Sequence, residues 1–290
     1  MGNRSPREAD SAWVAAECYY WRPARGFSRA LQLHAYARAG VRFDHPLLDL
    51  GCGDGMFGRA LGRLGVVDGI DLGLDGSQRD LRLASPRPRL GLVQGDLCRL
   101  PLRDGALGSV IAHTVLSSLL TRDGGGVDVA LAEIYRVLRP GAILALAVAL
   151  PRFNENLAIA DLLRRAGARS LLAAYVRRVN RRHSHTCLIE PALWREKLER
   201  TGFVIDGHLS FLTRREARWY GMLHLARGFP LLRLLPDGRV RRGVVGLEAA
   251  LFRRILAGAP TRPPEQEASE AGFSLWLARK PASRSGRGRP

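Results

Sequence analysis

The chain has 290 residues, 46% of them apolar, enough for one large core with an appendage. Its longest apolar run, Ala142 to Leu150, is half of what a membrane-spanning helix needs, the start has no apolar secretory stretch, and Pro6 breaks a myristoylation pattern. The net charge of +18 is unevenly spread: +3 over residues 1–150 and +15 over residues 151–290, so a basic surface facing an anionic partner is expected in the second half.

In chain order, residues 1–45 read as an N-terminal helical cap. From residue 46, short apolar runs alternate with helical patterns, the mark of an α/β parallel sheet. Strands are expected at 46–50, 66–71, 90–94, 107–112 and 142–150, with helices at 54–64 and 127–138. Arg139-Pro140-Gly141 breaks the second helix, and Ala142 to Leu150 is apolar enough for burial on both faces. Residues 152–187 read as helical and arginine-rich, with a further helix at 192–200 ended by Thr201-Gly202. Strands follow at 203–211 and 272–279. The sixty residues between them are too many for a loop without structure of its own. Two amphipathic stripes stand out there, Trp219, Met222, Leu223 and Ala226, then Val244, Leu247, Leu251 and Ile255, each flanked by arginines. The domain plan is therefore a cap at 1–45, a core at 46–211 with acceptor-side helices at 151–200, and a helical insertion at 212–271. The last core strand at 272–280 and a disordered basic tail at 281–290 complete it. Cys18, Cys52, Cys98 and Cys187 are widely spaced, so neither disulfides nor a metal site is expected, and the reading is a reducing, cytoplasmic protein.

Chemistry is signalled first at Asp49-Leu50-Gly51-Cys52-Gly53-Asp54-Gly55-Met56-Phe57-Gly58. A strand entering glycines ahead of a helix lets backbone N–H groups approach a ligand without an intervening Cβ. The spacing Gly53-x-Gly55-x-x-Gly58, with Asp71 downstream, satisfies a dinucleotide fingerprint and leaves a nicotinamide cofactor open at this point. Asp49 argues against it, because a carboxylate beside the loop suits an α-ammonium group and repels a diphosphate. Asp96, after the third strand, suits an adenine amino group, with Leu97 against the ring.

Taken together, Leu47 to Gly55, Gly69-Ile70-Asp71-Leu72, Gly95-Asp96-Leu97 with Leu100-Pro101, and Val137-Leu138-Arg139-Pro140-Gly141 resemble the class I S-adenosylmethionine-dependent methyltransferases, of the type 11 group, over about residues 46–150. The resemblance implies a Rossmann-like, seven-stranded α/β sheet with helices on both faces and a helical insertion before the last strand. It implies S-adenosyl-L-methionine as cofactor. Gly51, Cys52 and Gly53 would admit its methionine part, Asp49 would support the loop and amino group, Asp71 would take the ribose and Leu72 would pack on the adenine. Asp96 and Leu97 would hold the adenine's far edge, and His113 would lie near the methyl group. Ser117-Ser118 stands where family members often carry Glu-His.

The acceptor is expected to be a small molecule, lipid-like or anionic. His113, His183 and His185 are the candidate catalytic residues, the last two beside Arg181 and Arg182. The insertion reads either as a lid or, over 214–256, as a contact with anionic membrane, which would place a cytoplasmic protein at the lipid surface. A nucleic-acid acceptor is the alternative drawn from charge. It is weakened because His113-Thr114-Val115-Leu116 replaces the Asn-Pro-Pro-Tyr type motif. A non-catalytic binding protein on the same fold is a further alternative. The oligomeric state is left open.

Overall fold

The computed structural model describes residues 10–84, 91–119, 126–183, 185–225, 238–257 and 271–282. Seven strands form one sheet: β1 Leu47–Leu50, β2 Leu72–Asp75, β3 Gly91–Gln94, β4 Leu107–His113, β5 Leu138–Ala149, β6 Val204–Phe211 and β7 Phe273–Arg279. Their spatial order is β3-β2-β1-β4-β5-β7-β6. β1 to β5 run parallel, and β7 inserts antiparallel between β5 and β6.

Alternation along each strand sends successive side chains to opposite faces. Leu47, Ile111, Ala145, Ala147 and Ala149 face one layer, with Phe27, Phe57 and Phe252 in the same core. Leu48, Leu50, Val110, Leu144, Leu146 and Val148 face the other, with Ile134, Trp194 and Leu198. The first layer holds α1 Ser11–Tyr19, α2 Pro23–Ala39 and α3 Met56–Leu64, and the second holds α5 Gly126–Val137 and α9 Pro191–Thr201. α4 Gln78–Ala84 packs against β2 and β3. Lys280, just past β7, donates to Tyr135 O and Leu138 O at 2.7 and 2.8 Å, meeting the negative end of α5.

The second strand is displaced from its expected place. Val66 and Val67 read as strand residues, but β2 begins at Leu72. The cause lies at the end of α3. Gly65 is left-handed, its N–H bonds Gly62 O at 3.0 Å, and Val66 N–H bonds Leu61 O at 3.0 Å. That pair of bonds is a Schellman cap, and the apolar residues after such a cap fold back on the helix end. Val67 is buried there, in the core of the α3 layer.

The helical stretch at 152–187 is three helices, α6 Arg152–Glu155, α7 Ala158–Arg165 and α8 Arg169–His183, the last break occurring at left-handed Gly167. The insertion contains α10 Arg214–Leu225 and α11 Arg239–Ala257. α10 packs on α2 and α7, and α11 on α1 and α2. The buried stripe of α11 is Val245, Ala249, Phe252 and Ile255, while Leu247, expected on the inward face, is 75% exposed. Ala226 of the first stripe, residue 90 of the third strand and residues 283–290 of the tail lie outside the described residues. No described helix is long and apolar enough to cross a membrane.

At the start of the sheet, His45 Nδ1 lies 2.5 Å from Asp71 and Nε2 2.7 Å from Asp68. Hydrogen bonding to Asp68 and then Asp71 raises the imidazole above its ordinary value. A raised folded pKa gives stability that is complete below the unfolded value and is lost as pH rises through the folded one. Replacing His45 by Asn should therefore destabilise most below the ordinary imidazole value and progressively less as pH rises through the raised one. Denaturant titrations of both proteins across that range check it.

Candidate functional site

The glycine loop leaves β1 through three left-handed glycines, Gly51 (φ 73°), Gly53 (φ 54°) and Gly55 (φ 64°). Gly51 N–H and Cys52 N–H both donate to Leu74 O, at 2.7 and 3.1 Å, so the loop is fastened to the end of β2. A Cβ at Gly51 would lie 2.4 Å from the Val115 side chain, so only glycine fits. Gly58 lets α3 pass close over β1, where an added Cβ would come within 3.0 Å of the Asp49 carboxylate. Asp49 is 4% exposed, enclosed beneath the first turn of α3, where a carboxylate faces the positive end of the helix.

The structure does not bring Asp71 to this loop. Asp71 precedes β2, accepts from Leu47 N–H at 2.6 Å and contacts His45, at the opposite end of the strands. Partial burial would raise its carboxyl, but the Leu47 N–H and His45 outweigh that and hold it below the ordinary value. Leu72 is the first residue of β2, far from the loop with it. Asp75 occupies the loop end of β2 instead, about 13 Å further along the chain at the rise of an extended strand. Its Oδ2 accepts from Gly53 N–H at 3.0 Å and its Oδ1 from Ser77 N–H at 2.8 Å. The signal was present, because Gly73-Leu74-Asp75 repeats the pattern of Gly69-Ile70-Asp71 four residues later.

Gly95 N–H donates to Asp75 O at 3.2 Å, which draws the loop after β3 alongside. Asp96 there is exposed and accepts from Cys98 N–H at 2.9 Å, and Leu97 is half-buried against the second core. Cys52 is buried beside Gly73. The rim of the loop thus carries Asp75, with Asp49 below it and Asp96 one strand further out.

His113 ends β4 on the Asp49 side of the sheet. It is 6% exposed, stacks on Phe57 at 3.8 Å between centroids and lies 5.9 Å from the Tyr36 ring. Neither of its ring nitrogens has a partner among the described residues, and the Tyr36 hydroxyl is likewise unpartnered. Burial first, and the Arg29 charge second, hold the imidazole well below its ordinary value. Arg29 itself lies over the Phe57 ring at 5.0 Å and donates to Gln32 at 2.6 Å. Tyr36, Arg29 and Gln32 come from α2, within the segment 11–45 expected to help select the acceptor, though the sequence singled out none of the three.

His185 lies in a second place, among the rings of Phe153 (5.1 Å) and Phe273 (6.3 Å), past the end of β5. Burial lowers its pKa to about 4. Ser117 organises this end: its Oγ accepts from Ala149 N–H at 2.9 Å, and its carbonyl accepts from Thr186 and Cys187 N–H. His183 closes α8, but its side chain lies outside the described residues. Among the described residues, no three His, Cys, Asp or Glu side chains group as a metal site.

A left-handed glycine loop tied to β2, acids at the ends of β2 and β3, and seven strands with an antiparallel β7 make a core similar to a methyltransferase domain. Residues 48–146 match the family described as methyltransferase domain. The residues present suit S-adenosylmethionine, the cofactor that the sequence resemblance implies. The loop at Gly53, where an added Cβ would meet nothing within 4 Å, admits close approach, Asp75 has acceptor oxygens that suit ribose hydroxyls, and the carboxylates favour the cationic headgroup.

An uncharacterized 37.1 kDa protein in transposon TN4556 of Streptomyces fradiae is 35% identical over 103 residues, 34% of this chain. The match spans only 28% of that relative. The crystal structure of the [4+2]-cyclase SpnF superposes with a TM-score of 0.52 and 22% identity, covering 88% of this chain and 82% of that one. A SAM-dependent methyltransferase from Archaeoglobus fulgidus gives 0.51 and 14%, covering 86% and 93%. At these identities the two structures share the fold and nothing finer.

Two variants separate the acids. Asp75→Asn should weaken binding of S-adenosylhomocysteine by roughly tenfold or more, the loss of charge-assisted hydrogen bonds. Asp71→Asn should leave that affinity within about twofold while lowering stability by about 1–2 kcal/mol. Calorimetry with the nucleoside and a denaturant titration read the two effects, and the reverse pattern would restore Asp71 to the site.

Proposed function

We propose that this chain transfers a methyl group from S-adenosylmethionine to a small-molecule acceptor. The observation that carries the reading is the Gly51 loop, closed by Val115 and edged by Asp75, on the methyltransferase-like core. When bound, the cofactor would supply a methyl group already activated by its sulfonium. The protein's work is to align the acceptor and exclude water. Val115, locked against Gly51, and Thr114, whose N–H donates to Ala147 O at 2.8 Å, fix the wall beside the loop.

His113 and His185 take different roles in this reading. His113, sealed under Phe57, supports the first turn of α3 and thus the loop, acting as a positioning residue. His185, on the acceptor side, is neutral at physiological pH and orients the acceptor by accepting a hydrogen bond from its hydroxyl or amine. Replacing His185 by Phe should lower kcat by about tenfold with cofactor affinity unchanged, the size of a lost orienting hydrogen bond. The wild-type rate should show no histidine break between roughly pH 6 and 8 because the imidazole already sits in its neutral form there. Transfer of isotope-labelled methyl from the donor into a fractionated extract identifies the acceptor. Absence of any labelled product, with S-adenosylhomocysteine bound, would favour a binding protein on this fold.

A second reading concerns location. The outward face of α11 carries Arg239, Arg242, Arg253 and Arg254, with Val240 68% and Leu247 75% exposed. Arg253 also pairs with Asp10, tying the helix to α1. Basic side chains around exposed aliphatics suit a helix lying on anionic lipid, which favours the membrane alternative for the insertion over a lid. Changing Val240 and Leu247 together to Glu should reduce sedimentation with anionic vesicles by about tenfold or more, from lost apolar burial and added repulsion. Equal sedimentation of variant and wild type would return α11 to the role of a lid.

A further inference from the structure

Away from the glycine loop, one carboxylate gathers four guanidinium groups. Asp161 of α7 is 8% exposed. Its Oδ1 lies 2.9 Å from Arg214 and 3.4 Å from Arg164, and its Oδ2 lies 3.1 Å from Arg218 and 3.2 Å from Arg165. The arrangement follows from helix spacing. Arg164 and Arg165 stand three and four residues after Asp161 on α7, while Arg214 and Arg218 are four apart on α10 and share a face. Gly221 allows α10 to close on α7, since a Cβ there would lie 3.1 Å from Ala158 N.

The cluster is over-supplied with positive charge. One carboxylate against four arginines leaves a net +3. Burial would raise the Asp161 carboxyl, but Arg214, Arg165 and Arg218 together hold it below its ordinary value, so it stays ionised. Among the described residues, nearby acids do not close the gap. Glu155 pairs with Arg152 at 3.1 Å, and Glu216 is buried, accepting from Thr213 N–H at 2.7 Å. Each guanidinium has five N–H donors, and a carboxylate has room for about four hydrogen bonds in all. Arg164 spends one more on Glu155 O at 2.8 Å. Most of the remaining donors face solvent, because the four side chains are between 41% and 68% exposed.

A pre-gathered set of guanidinium forks with unspent donors is what a tetrahedral oxyanion needs. Bidentate Arg contacts match its oxygen spacing, and its charge relieves the mutual repulsion of the arginines. The position is on the acceptor side. α7 follows the segment carrying Phe153, which touches both His185 and Tyr220 of α10.

We propose that Arg164, Arg165, Arg214 and Arg218 form a binding site for a phosphate group, borne by a soluble acceptor or by a lipid headgroup. This deepens the acceptor side of the methyltransferase reading, yet phosphate binding is measurable without methyl transfer. Inorganic phosphate, titrated into the full chain at constant ionic strength, should bind. The double variant Arg214→Gln/Arg218→Gln should weaken it by about tenfold or more. Asp161→Asn removes the competing carboxylate and should tighten phosphate by about threefold or more. Should Asp161→Asn be too unstable to titrate, its melting temperature should rise more with phosphate, against chloride of equal ionic strength, than that of the wild type. Unchanged phosphate affinity in the double variant, or an Asp161→Asn protein that phosphate neither binds more tightly nor stabilises more, would overturn the site.

Two further measurements place it. Phosphatidylcholine vesicles doped with phosphatidic acid should lose the double variant if the phosphate is a lipid's, and should recover both proteins equally if it is a soluble acceptor's. Binding of S-adenosylhomocysteine should be unaltered by these substitutions. Its absence in the wild type would sink the methyltransferase reading and leave the arginine site standing.

Discussion

The geometry of the site rests on one carbonyl. Leu74 O accepts from both Gly51 and Cys52, so the turn out of β1 cannot move independently of the end of β2. Gly53 adds a third bond to the same place through the Asp75 carboxylate. Once these are made, the loop must adopt left-handed conformations at alternate residues, which only glycine tolerates at low energy. The backbone conformation and the position of Asp75 are thus one constraint. It also explains why Val115 can sit where a side chain on Gly51 would otherwise be.

Much of this was legible because it depends on local pattern. The strand at β1, the glycine run and the buried β5 each declare themselves within a dozen residues, through apolar runs bounded by Gly and Pro. The final two strands were also placed to within a residue or so. The acid on β2 was not, because its identity depends on how much chain the end of α3 consumes. Two Gly-x-Asp triplets compete, and the choice turns on a Schellman cap at Gly65 that redirects Val66 and Val67. Apolar runs alone cannot distinguish a β-strand from the hydrophobic contact that follows such a cap.

Contributions from outside the core were harder to read for a different reason. Tyr36 and Arg29 reach the region of Phe57 and His113 through the packing of α2 on the sheet, a tertiary event with no sequence signature. The arginines of the second half stood out only as a sum of charge. The fold divides them: some line the outside of α11, and four converge on Asp161 from two helices more than fifty residues apart. The same total would have been compatible with an evenly solvated surface. The hydrophobic stripe of α11 shows a related limit, since two overlapping periodicities, one through Leu247 and one through Val245 and Ala249, fit the sequence about equally well.

The place of β7 has a consequence for how the molecule is made. Its residues Phe273 to Arg279 lie between β5 and β6 and bond to both, and Trp276 is almost wholly enclosed there. Until β7 has emerged from the ribosome, β5 and β6 have no neighbour on their inner edges. The nascent chain therefore carries an open seam until residues 273–279 are made, the stage at which unpaired strands are most prone to pair wrongly. Shortening the chain ahead of residue 279 would leave that seam open for good.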